Sequence, residues 1–194
     1  MGPFYPTVAS HESRADLTRI PGRATRAIGP LIEINGIVRR PDGKPLKGAL
    51  VLVWQANAAG RYGHPRDNNT KAPIDPGFLG HALMRTGADG SFAFLSVKPG
   101  AYPWGNHHNA WRPAHIHFSL LGQSFAQRLV TQMYFPSDPL FPFDPIFNSV
   151  RDERARQRMI STFSLDDTQP DWALAYHYDI VLRGPEATPF EESH

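Results

Sequence analysis

A mainly β chain is what this sequence predicts: an antiparallel β-sandwich with long loops and one short helix. Three observations carry that expectation. Short apolar runs recur along the chain and are bounded by turn residues, the pattern of half-buried strands. The 19 prolines and 16 glycines exceed the usual share without reaching the level of a disordered chain, which fits many strands joined by tight turns. A helical spacing of apolar residues is sustained in a single stretch, beyond residue 149. Sheets of this kind bury their apolar faces against each other. A length of 194 residues suits one domain, residues 1–194, with residues 1–30 as an N-terminal arm.

The elements follow in order. Residues 1–30 are rich in Pro, Gly and Arg and show no period; they read as an arm lying across another surface, or as a leader without fixed structure. Gly2-Pro3-Phe4-Tyr5-Pro6 sets two aromatic rings in a stiff turn. Residues 31–38 and 49–54 are strand-like, and the turn Pro41-Asp42-Gly43-Lys44-Pro45 between them predicts a hairpin. Residues 57–80 form a long loop with Tyr62 near its start, and loops of that length are usually functional or disordered. His64 within it reads as a polar loop residue. Residues 82–86 and 91–95 flank Ala88-Asp89-Gly90 and predict a second hairpin. Residues 127–135 form a further strand with Gln132 near its end, and residues 137–148 a loop rich in Pro, Phe and Asp.

Ser149 is expected to open the helix, since Ser149-Val150-Arg151-Asp152 approaches a capping box and Ala155, Met159, Ile160 and Phe163 fall on one face. Arg151, Arg154, Arg156 and Arg158 read as a solvated or interface face, because no Gly-rich loop accompanies them to form a phosphate site. Residues 172–182 form the last strand, with Tyr176, Tyr178 and Ile180 opposite Ala175, His177 and Asp179; the tyrosines read as packing residues. The tail, residues 184–194, is acidic and extended.

Charge narrows the function classes. A formal net charge of +2 and a pI near 9.0 are too weak a bias for nucleic acid and compatible with a small anionic substrate. No apolar run is long enough to span a membrane, and residues 1–20 contain no signal-peptide core, so no membrane partner is expected and a cytoplasmic protein is the default. Position 6 is Pro where a myristoylation motif needs Ser or Thr. With no cysteine, disulfides are excluded.

The chemistry concentrates between residues 97 and 117. His115-Ile116-His117 opens an apolar run, so both imidazoles point to the same side of a strand. They are either half of a metal site or residues of a solvent-facing strand. No Cys is available, no His-Glu-x-x-His occurs, and no Glu follows His117 at short spacing. Phenol oxygens remain. Tyr102 lies in the turn Val97-Lys98-Pro99-Gly100-Ala101-Tyr102-Pro103, and Tyr62 ends Trp54-Gln55-Ala56-Asn57-Ala58-Ala59-Gly60-Arg61-Tyr62. Tyrosinate is a hard anionic donor suited to an ion such as Fe(III). Pro103 and Pro113 stiffen the loop between them.

At these residues a family resemblance appears. Val53-Trp54-Gln55-Ala56-Asn57 and Gly60-Arg61-Tyr62, within residues 36–62, resemble the signature of the intradiol ring-cleavage dioxygenases. Residues 98–117 are similar to the beta-type chains of protocatechuate-cleaving members, and the similarity continues through residues 129–135 and 178–184, covering roughly residues 30–190. The resemblance implies a mononuclear non-haem Fe(III) held by Tyr62, Tyr102, His115 and His117. It implies that Tyr102 leaves the metal to take a substrate proton, that Gln132 lies near the substrate, and that Trp104 and Ile146 line the pocket for the ring. Arg112, three residues before His115, would stabilise a developing ring anion; the other reading is a surface Arg paired with a carboxylate. Pro3 and Tyr5 of the arm are further substrate contacts.

The implied substrate is protocatechuate or a related substituted catechol. Its ring would open with O2 between the two hydroxylated carbons to give a muconate-type diacid. The implied assembly is a homo-oligomer, or a hetero-oligomer with an alpha-type chain. The chain departs from the pattern in two places: Leu52 stands where the family commonly has an acid, and the arm is shorter than in beta-type chains, with Gly2-Pro3-Phe4-Tyr5 more like the alpha-type start. Two other readings are a non-catalytic β-sandwich subunit supporting an active partner chain, and a His-based zinc or copper enzyme, for which only two histidines converge.

Overall fold

The computed structural model describes residues 14–105, 108, 110–121 and 128–190. Pro3, Tyr5 and the rest of the Gly2-to-Pro6 turn lie outside the described residues. The strands are β1 (Arg14–Asp16), β2 (Leu31–Arg39), β3 (Leu50–Trp54), β4 (His81–Arg85), β5 (Ser91–Val97), β6 (Tyr102–Trp104), β7 (Ala110–Arg112), β8 (His115–Leu121), β9 (Arg128–Tyr134), β10 (Thr162–Gln169), β11 (Ala173–His177) and β12 (Ile180–Val181). Two sheets face each other. One runs β1-β5-β2-β11-β10, with β12 also on β2; the other runs β4-β3-β8-β9; β6 and β7 form a separate ribbon.

The alternation written into the strands builds the core. Ile32, Ile34, Val38, Phe92 and Phe94 of the first sheet meet Val51, Val53, Met84, Ile116, Phe118, Leu120 and Met133 of the second. Phe118 is the hinge of this packing, with ring centroids 5.8 Å from Phe92, 6.1 Å from Phe94 and 5.2 Å from Tyr178. Such burial is the main source of stability in a sandwich without disulfides. Tyr176 and Tyr178 are buried in this layer, as their alternation implies, while His177 and Asp179 are exposed.

The expected hairpins close only at their turns, through Arg40 N–H to Lys44 O and Gly87 N–H to Ser91 O, and their strands do not pair. β2 is bonded to β5, and β3 to β4, so each turn carries the chain from one sheet to the other. The two turns lock together at one end, where Val38 N–H donates to Gly90 O at 2.9 Å. Turn residues dictate a chain reversal; which layer the next strand joins is decided by the apolar surface it can cover. The second sheet is wholly antiparallel, but the first contains three parallel pairings, β1 with β5 and both β11 and β12 with β2. The single strand expected over residues 172–182 divides into β11 and β12 around Tyr178, whose N–H donates to Asn35 O.

The helix also differs. Ser149 ends α1 (Pro145–Ser149) instead of opening a helix, and α2 is only Glu153–Gln157, capped by Asp152, which accepts from Arg154 N–H at 3.0 Å. A 3-10 turn (Phe141–Phe143) precedes them. Phe163 belongs to β10. The reason is tertiary. Tyr134 N–H donates to Met159 O and Ser161 N–H to Tyr134 O, both at 2.8 Å, so the edge of β9 draws the chain out of helix. Among the described residues, no helix is long and apolar enough to cross a membrane.

Candidate active site

β8 is buried on both sides. Ile116, Phe118 and Leu120 face the core, and His115, His117 and Ser119 face the opposite way yet are 5% exposed or less. A solvent-facing strand is therefore excluded for the two histidines. Cross-strand register assembles the rest of this outer face: His117 lies between Trp54 of β3 and Gln132 of β9, and His115 beside Tyr134. The Trp54 and His117 rings stack at 4.8 Å, only 4° from parallel.

Loops bring two tyrosines over this face, and backbone contact is what joins them. Gly60 and Gly100 press together so closely that a Cβ on Gly100 would stand 2.5 Å from Ala58 O and from Gly60 N, and one on Gly60 2.5 Å from Ala101 O. Gly60 also holds φ at +79°, which side-chain-bearing residues rarely adopt. Asn57 organises the junction. Its carbonyl accepts from both Gly60 N–H (3.0 Å) and Gly100 N–H (2.9 Å), and its Oδ1 accepts from Ala59 and Arg61 N–H. Gln55 anchors the same segment to β5 through Val97 O and Ser96 Oγ. Asp67 accepts from Tyr62 N–H at 2.8 Å. The tyrosines lie two residues beyond each glycine and so arrive together.

The four groups converge. Tyr62 Oη is 3.1 Å from His117 Nε2, 3.5 Å from His115 Nε2 and 3.4 Å from Tyr102 Oη; Tyr102 Oη is 3.3 Å from His115 Nε2. Atoms each about 2.1 Å from a common centre stand about 3.0–3.6 Å apart when their bonds open between roughly 90° and 120°, so the spacing fits donors to one cation. The tautomer fits as well. His115 Nδ1 must donate to Pro113 O at 2.6 Å, since a carbonyl only accepts, which leaves the Nε2 lone pair facing the tyrosines. Burial, then the nearby Arg112 charge, holds the His115 pKa well below its ordinary value, so the ring is neutral. Among the described residues no three His, Cys, Asp or Glu gather to bind a metal.

Beside these four lies a buried polar network. Arg112 ends β7 at 4% exposure, so it is no surface residue, although it does pair with a carboxylate: Nε is 3.1 Å from Asp144 Oδ1, off line for a hydrogen bond but close for an ion pair. Its Nη2 donates to Gln132 Oε1 and, at 3.4 Å, to Tyr134 Oη, and its guanidinium sits 5.9 Å over the Trp104 ring. Burial opposes the charge, but the phenols of Tyr102 and Tyr134 and the Asp144 carboxylate hold the Arg112 pKa above its usual value. The amide nitrogen of Gln132 makes no hydrogen bond among the described residues. Ile146, half-buried, is fixed through its N–H to Asp144. Leu52 packs with Trp54, Ala56, Tyr62 and Val130, so at the position where an acid was expected this chain supports the site with apolar contact.

Sequence reasoning missed Asp144, Tyr134 and Asn57 as site residues. Asp144-Pro145 is a legible helix start, with a capping acid before a proline, and Tyr134 shares a strand face with Gln132 at a spacing of two. Their partners lie too far along the chain to be inferred.

The sequence profile of the family described as Dioxygenase (Dioxygenase_C) matches residues 1–184. The protocatechuate 3,4-dioxygenase beta chain of Burkholderia cepacia is 56% identical over 176 residues, covering 91% of this chain and 74% of that one. The protocatechuate 3,4-dioxygenase alpha chain of the same organism is 29% identical over 170 residues, covering 86% and 79%. The structure of catechol 1,2-dioxygenase from Acinetobacter sp. ADP1 superposes with a TM-score of 0.69 at 22% identity, covering 93% of this chain and 60% of that one, which shows the shared fold. A profile matched along nearly the whole chain and a relative more than half identical over most of it make this chain a member of the intradiol dioxygenase family.

Proposed function

We propose that this chain, acting as one catalytic domain, opens the ring of protocatechuate or a related substituted catechol between its hydroxylated carbons, at Fe(III) held by Tyr62, Tyr102, His115 and His117. The observation that carries this reading is the convergence of two phenol oxygens and two imidazole nitrogens at 3.1–3.5 Å. Two phenolates suit a hard trivalent ion. When bound, ferric iron would acidify a coordinated catechol and draw electron density from it, so that the ring becomes open to O2.

The chain's own groups do the rest. Tyr62 is buried at 5% exposure among Leu52, Trp54 and Val130, so it stays in place. Tyr102 is less buried and sits on the short β6–β7 ribbon, which suits a phenolate that swings away and keeps the substrate's proton on its Oη. Arg112 offers a fixed positive charge to an anionic ring. Gln132, its carbonyl oxygen accepting from Arg112 Nη2, can turn its amide hydrogens toward a substrate oxygen. Trp104 and Ile146 bound the space for the ring, and Pro3 and Tyr5 add the carboxylate contact. Similarity to both a beta chain and an alpha chain supports assembly with an alpha-type partner.

Anaerobic titration of the iron-loaded chain with a panel of catechols, alone and with an alpha-type chain, followed by O2, tests this reading. A burgundy protein whose colour shifts on catechol binding, then yields a muconate-type diacid, is the expected result. A colourless protein carrying stoichiometric zinc would overturn it.

A further inference from the structure

Two buried groups take no part in the chemistry proposed above. Asp144 is wholly buried, and its carboxylate serves three elements: Oδ1 lies 3.1 Å from Arg112 Nε and accepts from Ile146 N–H at 3.0 Å, and Oδ2 lies 3.0 Å from the Tyr134 hydroxyl. Tyr134 Oη lies 3.0 Å from Gln132 Oε1 and 3.4 Å from Arg112 Nη2. The pair is itself immobilised. Asp144 caps α1, and the Tyr134 ring packs edge-on to Phe141 and Phe147, at 5.9 and 5.1 Å, in a cluster that includes Met159.

A buried carboxylate–guanidinium pair seldom stabilises a fold more than apolar side chains of equal volume would, so its value here lies in orientation. Arg is long and rotamer-rich; it holds one direction only when its fork is pinned at more than one nitrogen. We infer that Asp144 and Tyr134 are positioning residues that pin the Arg112 guanidinium and the Gln132 carboxamide against the substrate, an inference that rests on reading the site as a catechol-cleaving centre. Asp144 does more than Tyr134, since through the Ile146 N–H it also sets the start of the helix whose Ile146 the proposed function puts beside the ring. The charge beside the ring and the wall beneath it share one anchor.

The two residues therefore differ in their kinetic signatures. Tyr134→Phe removes the hydroxyl that accepts from Arg112 and shares its one proton between Asp144 and Gln132, and should lower kcat about tenfold with little change in KM. Asp144→Asn keeps the helix cap but removes the counter-charge, and should lower kcat and raise KM together. Neither should change iron content or the colour of the free enzyme. The decisive measurement is a double-mutant cycle with Arg112→Lys, which keeps the charge and lacks the fork. If Tyr134 acts through Arg112, adding Tyr134→Phe to Arg112→Lys costs less than about twofold in kcat. An equal fold loss in both backgrounds would overturn the inference. If the unmutated iron-loaded chain turns over no catechol either alone or with an alpha-type chain, the functional reading fails, and the same cycle is read in melting temperatures: non-additive shifts support the tie between Tyr134 and Arg112, and additive shifts overturn it.

Discussion

The two faces of β8, at the centre of the sheet β4-β3-β8-β9, are buried alike and built on opposite terms. Val51, Val53, Met84, Ile116, Phe118, Leu120 and Met133 on the inner face meet another sheet in a largely apolar cluster. Trp54, His115, His117, Gln132 and Tyr134 on the outer face meet loops, and their contacts are largely directional: hydrogen bonds, a stack and an ion-paired Arg. Burial alone therefore does not mark a core. The inner face gains from area and tolerates small shifts; the outer face depends on where each donor and acceptor sits. Stability and chemistry are divided between two sides of the same strands.

The sharpest way to break this comparison is to truncate one residue on each face of β8. We predict that Phe118→Ala destabilises the fold by about 3–5 kcal/mol, because a fully buried ring in contact with Phe92, Phe94 and Tyr178 is lost. Urea unfolding measures this, and a loss under about 1 kcal/mol would contradict the division. Gly100→Ala comes next. Its Cβ would meet Ala58 O and Gly60 N at 2.5 Å, so the two loops must part. We expect about 1–3 kcal/mol of destabilisation, with weaker iron retention because Tyr62 and Tyr102 separate.

His115→Ala and His117→Ala sit on the outer face. Each should abolish iron binding while the metal-free fold loses less than about 2 kcal/mol. Unfolding of either variant at room temperature would instead make the metal structural. The smallest effect on stability, and the finest distinction, is between the two tyrosines. Tyr62→Phe should alter the spectrum both before and after catechol binding. Tyr102→Phe should alter the free enzyme and slow substrate deprotonation, yet give a nearly normal bound spectrum. Equal binding kinetics for Tyr102→Phe and the unmutated protein would rule out Tyr102 as the proton acceptor.

What the sequence by itself determined is what consecutive residues control. The period of a strand puts His115 and His117 on one side whatever the strand pairs with, and the same rule places Tyr176 and Tyr178 in the core. The Pro99-Gly100 pair marks the turn that leads into Tyr102. Residue chemistry left phenol oxygens open as companions for the two histidines, and the family resemblance implied Tyr62 and Tyr102 as the ones.

Tertiary structure decided the rest. The turns at residues 41–45 and 88–90 promised hairpins, but β2 took β5 and β3 took β4, because pairing follows the burial of faces that lie far apart along the chain. The helix expected to run to Phe163 stopped at Gln157, since hydrogen bonds offered by the edge of β9 competed with those of the helix. Arg112 met Asp144, 32 positions away, only because β7 and the start of α1 close over the same sheet face. No local period encodes such a meeting; it exists once both faces of β8 have been covered, one by a sheet and the other by loops.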